Sequence, residues 1–379
     1  MNSFRHAVLS AALTAGVFHA GSAFAAPDPV AVADRLVEMI AVSGSQASYE
    51  SAVYNPANDV VTVLNFKISD GDGTGTFATV SVKGYDEDNT DGFGADDITA
   101  TGFELVDDDA QVFISSMTVT GLSIPSLDVD PEDPKSWENV KYSSAEFANI
   151  NAIPKGSVPI TVASVKSTAI YTGDDGISGK GTLTIDDLSV PASFMENEAK
   201  TFMDASGYES LILDVSIDAA YDAAGQTLDL NKMTFDAQDM GVINFSANLG
   251  GMVDELLRDP EQIQGLMATA TLRSASLSFA NNSIFEKGLD FAAKMTGQDA
   301  SQLKAQAPFV LGFALAQINN EAFTKMVTEA VTKFLDSPNS LSVTIAPENP
   351  VPVAQIAGAA MSSPQVVPDL LSVTVEANQ

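Results

Sequence analysis

The sequence predicts an α+β fold: an elongated antiparallel β-sheet of duplicated hairpin-plus-helix modules, with a helical C-terminal region covering one face. Three observations carry this. Apolar and polar residues alternate in short runs from Tyr49 to Phe279, as in Val61-Thr62-Val63-Leu64-Asn65-Phe66 and Phe77-Ala78-Thr79-Val80-Ser81-Val82. Period-2 alternation places every second side chain on one sheet face. Runs rich in Gly, Asp and Asn separate them, which is hairpin chemistry. After residue 280 the period changes to that of helices.

A helix comes first. Val32, Leu36, Val37 and Ile40 form an apolar stripe with Asp34, Arg35 and Glu38 between them. A meander of strands follows from Tyr49 to Pro125. Its turns are Asp70 to Gly75, Asp86 to Gly92 and Asp107 to Ala110. A second set repeats the theme: Val158 to Thr172, the turn Gly173 to Gly176, and Ile177 to Pro191. The segment from Ala192 to Ser206 reads as a helix. Leu211 to Tyr221, Thr227 to Asp236, Val242 to Leu249 and Gly265 to Phe279 read as strands, with a short helix from Met252 to Leu257.

The C-terminal hundred residues hold three helices, near 284–295, 301–318 and 323–334. The last carries the stripe Phe323, Met326, Val327, Ala330, Val331 and Phe334, stopped by Asp336-Ser337-Pro338. Two short strands, Leu341 to Ile345 and Leu371 to Val375, flank a proline-rich crossing with a short helix. Met117-Thr118-Val119-Thr120-Gly121-Leu122-Ser123-Ile124-Pro125 aligns with Leu183-Thr184-Ile185-Asp186-Asp187-Leu188-Ser189-Val190-Pro191, and Leu277 to Ala280 is a weaker echo. The spacing is too long and uneven for a solenoid.

The first 25 residues have the pattern of a signal peptide. Arg5 precedes an apolar run from Ala7 to Phe18, and Ala23-Phe24-Ala25 fits a small-x-small cleavage site. Cleavage after Ala25 would deliver the chain to the periplasm or the exterior. The expected organisation is a signal peptide over 1–25, a β-rich domain with the internal repeat (117–125 and 183–191) over 26–280, and a helical region with closing strands over 281–379.

Composition narrows the function classes. The 379 residues carry 18 basic against 50 acidic side chains, a formal net charge of −32, with no cysteine. Both histidines, His6 and His19, lie in the expected signal peptide. A mature chain without Cys or His has no thiol or imidazole chemistry, no disulfides and no His or Cys metal ligands. The charge argues against nucleic acid and against direct electrostatic docking on anionic membrane surfaces. No later apolar stretch is long enough to span a bilayer, so an integral membrane protein is not expected. A transmembrane barrel is disfavoured by the long helical end.

Candidate sites are few. Asp70-Gly71-Asp72-Gly73-Thr74-Gly75 matches the opening of a calcium loop, whose alternate oxygens wrap a hard cation, but Ser81 stands where the bidentate Glu belongs. Asp86 to Asp97 adds six carboxylates, and Asp70 to Asp109 holds twelve acids against the single base Lys83. If the three turns share one end of the sheet, Asp70, Asp72, Thr74, Asp86 and Asp88 are the candidate calcium ligands; no other cofactor is expected. The pairs Asp96-Asp97 and Asp186-Asp187 cannot serve one substrate as glycosidase carboxylates, because neighbours on a strand face opposite sides. Ser301-Gln302-Leu303-Lys304 matches a serine-nucleophile string, with no K-T-G partner in the chain.

The stretch from Leu188 onward resembles uncharacterised secreted proteins of alphaproteobacteria. The resemblance rests on Leu188-Ser189-Val190-Pro191, Gly207-Tyr208, Tyr221-Asp222, Gly288-Leu289, Phe334-Leu335-Asp336-Ser337-Pro338 and Ala346-Pro347. It implies export from a Gram-negative cell and no particular activity. The function expected from all this is a non-enzymatic exported envelope protein that binds or scaffolds a protein or lipid partner. The alternatives are a calcium-stabilised surface or structural protein and a carboxylate-dependent hydrolase.

Overall fold

Alternation becomes strands and the first stripe becomes a helix in the computed structural model, which describes residues 26–69, 73–107, 109–128, 140–172, 177–254, 265 and 268–379. The expected signal peptide, Asp70, Asp72, Trp137, the turn from Gly173 to Gly176 and the second half of the expected helix from Met252 to Leu257 lie outside the described residues. The chain divides into two compact units. One holds residues up to Gly176 together with Gly181–Ser189; the other holds Ile177–Lys180 and Val190–Gln379.

The first unit opens with α1 (Pro29–Ala41). The Asp28 carboxylate accepts from the Val30 N–H at 3.0 Å, and Pro29 stands at the first helical position, where its missing N–H costs nothing. The strands are β1 (Gln46–Ser48), β2 (Ser51–Asn55), β3 (Val60–Ser69), β4 (Thr74–Tyr85), β5 (Phe93–Val106), β6 (Ala110–Ile124), β7 (Ser144–Pro154), β8 (Ile160–Tyr171) and β9 (Gly179–Pro191). They run in the order β1-β3-β4-β5-β6-β7-β8-β9, with β2 also on β3. The pairings from β1 to β8 are antiparallel.

Register sorts this sheet into two faces. Val63, Val80, Ala100, Met117, Phe147 and Val165 are successive cross-strand partners, and so are Val61, Val82, Ile98, Val119, Ala145 and Ser167. The intervening row is Thr62, Ser81, Thr99, Thr118, Glu146 and Lys166, whose last two members form an ion pair at 3.4 Å. Val32, Ala33, Leu36 and Ile40 of α1 bury themselves against the apolar face over Val61, Val63, Phe66 and Val82. Farther along, Met117, Phe147 and Val165 on the same face are only half-buried.

A crease crosses this sheet. The ladder skips Asn65, Ala78, Gly102, Ser115, Asn149 and Ala163, which lie opposite one another strand by strand. Asn65, Gly102 and Asn149 have φ of 48°, 64° and 52°. Gly and Asn tolerate the left-handed region, and a break of this kind bends a strand and increases its local twist.

The second unit contains α2 (Asn197–Ser206), β10 (Ser210–Asp222), β11 (Thr227–Ala237), β12 (Gly241–Gly250) and β13 (Thr271–Asn281). Three helices follow: α3 (Ile284–Thr296), α4 (Ala300–Ala316) and α5 (Glu321–Asp336). After them come β14 (Ser340–Ile345), β15 (Val351–Pro352), α6 (Val353–Ser362), α7 (Val367–Leu370) and β16 (Val373–Ala377). Strand order is β10-β11-β12-β13-β14-β16, with β15 on β13, all antiparallel. Of the two repeat segments, 117–125 falls mostly in β6 and 183–191 in β9, while the echo at Leu277 lies in β13; the helix α3 follows the last of these.

The expected Phe334 stripe is the inward face of α5. Val327, Ala330 and Phe334 are buried with Val375 and Ala377 of β16. The Phe334 ring meets Phe285 at 5.0 Å and Phe279 at 6.2 Å between centroids. Asn320 starts α5 by accepting from the Phe323 N–H at 2.9 Å. Among the described residues no helix is long and apolar enough to cross a membrane.

Candidate functional site

The acidic turns do not share one end of the sheet. Ser69 and Thr74 pair with one another at the sheet end where Val106 and Asp107 lie, since Thr74 also pairs with Val106. The Asp86–Gly92 connection lies beyond Tyr85, at the far end of the twelve-residue strand β4. A strand of that length separates Thr74 from Asp86 and Asp88 by on the order of 35 Å. The condition for one carboxylate rim therefore fails, because successive hairpin turns alternate between sheet ends. Asp70 and Asp72 lie outside the described residues. No group of three or more acidic side chains among the described residues is placed to hold a metal ion.

The acids that can be followed build the turns themselves. Asp107 Oδ1 accepts from the N–H groups of Asp109 and Ala110 at 2.7 and 2.6 Å. Asp86 Oδ1 accepts from the Asp88 N–H at 3.1 Å, and Asn89 Oδ1 from the Gly92 N–H at 2.9 Å. These are the local side-chain bonds that make Asp and Asn turn residues. Arg35 reaches across from α1 and donates to the carbonyls of Gly92 and Thr90 at 2.9 and 2.6 Å, tying the loop to the helix. Thr74 Oγ1 lies 3.0 Å from Ser69 Oγ across its hairpin.

The paired carboxylates are separated too. Asp97 faces Lys83 at 3.6 Å on the polar side, while Asp96 lies in the ladder gap opposite Gly84. Asp186 accepts from Ser164 Oγ at 2.6 Å, and Asp187, with φ 51°, lines a shallow depression with Asn149, Asn151 and Ala163. Ser301 and Lys304 occupy the first turns of α4.

What the second unit does bring together is apolar surface. Val215, Phe235, Ile243, Phe279, Leu341 and Ala377 are successive cross-strand partners from β10 to β16. The next row on that face is Ile217, Met233, Phe245, Leu277, Val343 and Val375. Between them runs Ser216, Thr234, Asn244, Ser278, Ser342 and Glu376, where Thr234 Oγ1 donates to Asn244 at 2.7 Å. Helix α5 covers the β14–β16 end of the apolar rows, and α2 packs with Leu211 and Ala237. Between those covers Phe235, Ile243 and Leu277 are 37%, 44% and 48% exposed. Neighbours directly opposite on a sheet stand about 5 Å apart, so Phe235 and Ile243 form one continuous apolar strip.

Sequence reasoning did not find this strip, because alternation marks which face is apolar without saying what lies over it. The signal was available as a count. Strands from residue 49 to 280 present an apolar face throughout, but only two helices are read before residue 250.

A family model described as an uncharacterized protein matches residues 234–378, from the end of β11 through β16. Comparison with curated proteins gives no match. Among solved structures, the chain is similar to LptH, the LptA homologous periplasmic component of the conserved lipopolysaccharide transport device from Pseudomonas aeruginosa. The identity is 12%, over 32% of this chain and 73% of that one, with a TM-score of 0.18.

Proposed function

We propose that this chain is an exported, non-enzymatic envelope protein that holds a lipid against the uncovered apolar face of its β11–β13 strands. The observation that supports the reading is the strip of Phe235, Ile243 and Leu277, apolar by register and open between two helical covers. An acyl chain is linear and uncharged, and a row of side chains about 5 Å apart across strands gives it continuous contact without requiring polar groups. The polar face, with its Thr, Ser and Asn pairs, stays in water. Export after cleavage near Ala25 and residence in the periplasm belong to the same proposal, as does the origin of the strands in duplicated hairpin-plus-helix modules.

The test is solvent extraction of protein purified without detergent, followed by mass spectrometry, beside binding of a fluorescent fatty acid. Wild-type protein is expected to carry lipid and to bind the probe. Ile243→Asp with Leu277→Asp, two exposed positions, should keep the fold by circular dichroism and lose both signals. Wild-type protein that yields no lipid and does not bind the probe would rule the reading out.

A further inference from the structure

We propose that α4 docks on a phospholipid bilayer surface through Phe309, Val310 and Phe313. These side chains are 70%, 64% and 66% exposed, and the two rings stack edge-on at 4.8 Å between centroids. Leu311 and Leu315 on the opposite side of the helix, and Ile318 just after it, pack into the α5 core. The helix is thus anchored by one face and presents three large apolar groups on the other. Exposed clusters of this kind mark interaction surfaces.

Charge decides the occupant. From Ala300 to Asn320 the only charged side chain is Lys304, in a chain with 50 acidic residues. Among the described helices α4 is the one with a basic residue and no acidic one. From Ile284 to Asp336 five lysines meet six acids, whereas the rest of the chain holds 13 basic against 44 acidic residues. Anionic headgroups repel that acidic remainder and admit the acid-free helix of the near-neutral segment, with the rings among the acyl chains. A second copy is the poorer occupant, since two chains of net charge −32 repel one another. The inference does not depend on lipid binding by the sheet strip.

Co-flotation with phosphatidylcholine vesicles, with and without phosphatidylglycerol, tests it on the full mature chain. Wild-type protein should float, and Phe309→Ser with Phe313→Ser should reduce the bound fraction at least tenfold. In a Trp137→Phe background, a Phe313→Trp probe should shift to the blue on vesicle addition and be quenched by brominated lipid. This arm keeps the test decisive if the double serine variant does not fold. Ile243→Asp with Leu277→Asp should float like wild type, which separates failure of the sheet reading from failure of this one. Wild-type protein that stays at the bottom of both gradients overturns the proposal. So does a tryptophan probe blind to vesicles. A dimer by sedimentation that Phe309→Ser with Phe313→Ser dissociates, without flotation, overturns it in favour of self-association.

Discussion

The apolar face under α1 and the apolar face of β11–β13 are written in the same pattern and end in opposite environments. Val61, Val63 and Val82 alternate with Thr62 and Ser81, and α1 buries them. Phe235 and Ile243 alternate with Thr234 and Asn244 in the same way, and water reaches them. The difference lies in the covering element. α1 brings a capped helix whose stripe matches the face it meets, and Arg35 fastens it to the Asp86–Gly92 loop. Among the described residues no such helix lies over Ile243, which is 44% exposed. A sheet face is therefore core or binding surface according to what the chain supplies to cover it.

Paired truncations give the largest expected effect and the sharpest way to break this comparison. Phe93, fully buried beside Tyr85, should cost about 3–5 kcal/mol on Phe93→Ala, from lost transfer energy and the cavity left behind. Phe235→Ala, at a position already in contact with water, should cost less than ~1.5 kcal/mol. Urea unfolding of both variants measures the two numbers. Equal losses would mean that the β11–β13 face is covered in solution and that the contrast between the regions is false.

Next is the crease in the first unit, a feature the second unit lacks at matching strand positions. Gly102 has φ 64°, and a Cβ there would stand 3.0 Å from the Cβ of Ala78. Gly102→Ala should cost roughly 1–2 kcal/mol, the penalty of the left-handed region for an L side chain plus a tight contact. Gly181→Ala is the control, since its φ is not positive and the nearest neighbour is the Thr168 carbonyl oxygen at 3.5 Å. Losses of the same size at both positions would remove the strain argument for the crease.

The cover of the second unit can be loosened at its start. Asn320 caps α5 and also donates to the Gln365 carbonyl at 2.9 Å. Asn320→Ala should cost about 1 kcal/mol, the usual worth of such a cap. If the cover over β14 and β16 depends on this cap, hydrogen exchange should quicken in the first turn of α5 and leave α1 unchanged. Equal quickening in α1 would count against local loosening.

Much of this architecture was legible in the sequence, and the reasons for the rest are physical. The α1 stripe, the hairpin strands, the stripe ending at Phe334 and the closing strand near Val373 were all readable, because each is encoded by residues close in sequence. The placement of the acidic turns was not. Asp86 and Thr74 are twelve residues apart in sequence but at opposite ends of a strand, and only the alternation of hairpins says so. The exposure of Ile243 was unreadable for a related reason: it depends on where α2 and α5 come to rest, which local periodicity does not record. The crease was half visible, as Asn65, Gly102 and Asn149 interrupt otherwise apolar strands, but their alignment across the sheet is a matter of register.

The smallest effect concerns the buried end of the first unit at high pH. Burial beside Phe93 raises the Tyr85 pKa above 10.0, opposed by the nearby Arg35 and reinforced by Glu87, Asp86 and Glu38. The neutral phenol is thus favoured by the folded state. A group with a raised folded pKa contributes its stability fully below the unfolded value, and the contribution is lost as pH climbs through the folded value. Stability should accordingly decline above about pH 10. Tyr49 and Tyr54 have pKa values raised chiefly by their hydrogen bonds to Asp34 and Asp59, and should share in the decline. Tyr85→Phe keeps the ring against Phe93 and removes the ionisable oxygen, so its alkaline decline should be shallower than wild type while the neutral-pH stability changes little. The unfolding free energy of both proteins, followed from about pH 8 to about pH 11, measures the difference. Parallel declines would show that Tyr85 is as solvated in the folded chain as in the unfolded one, and that the cover supplied by α1 does not extend to the end of β4.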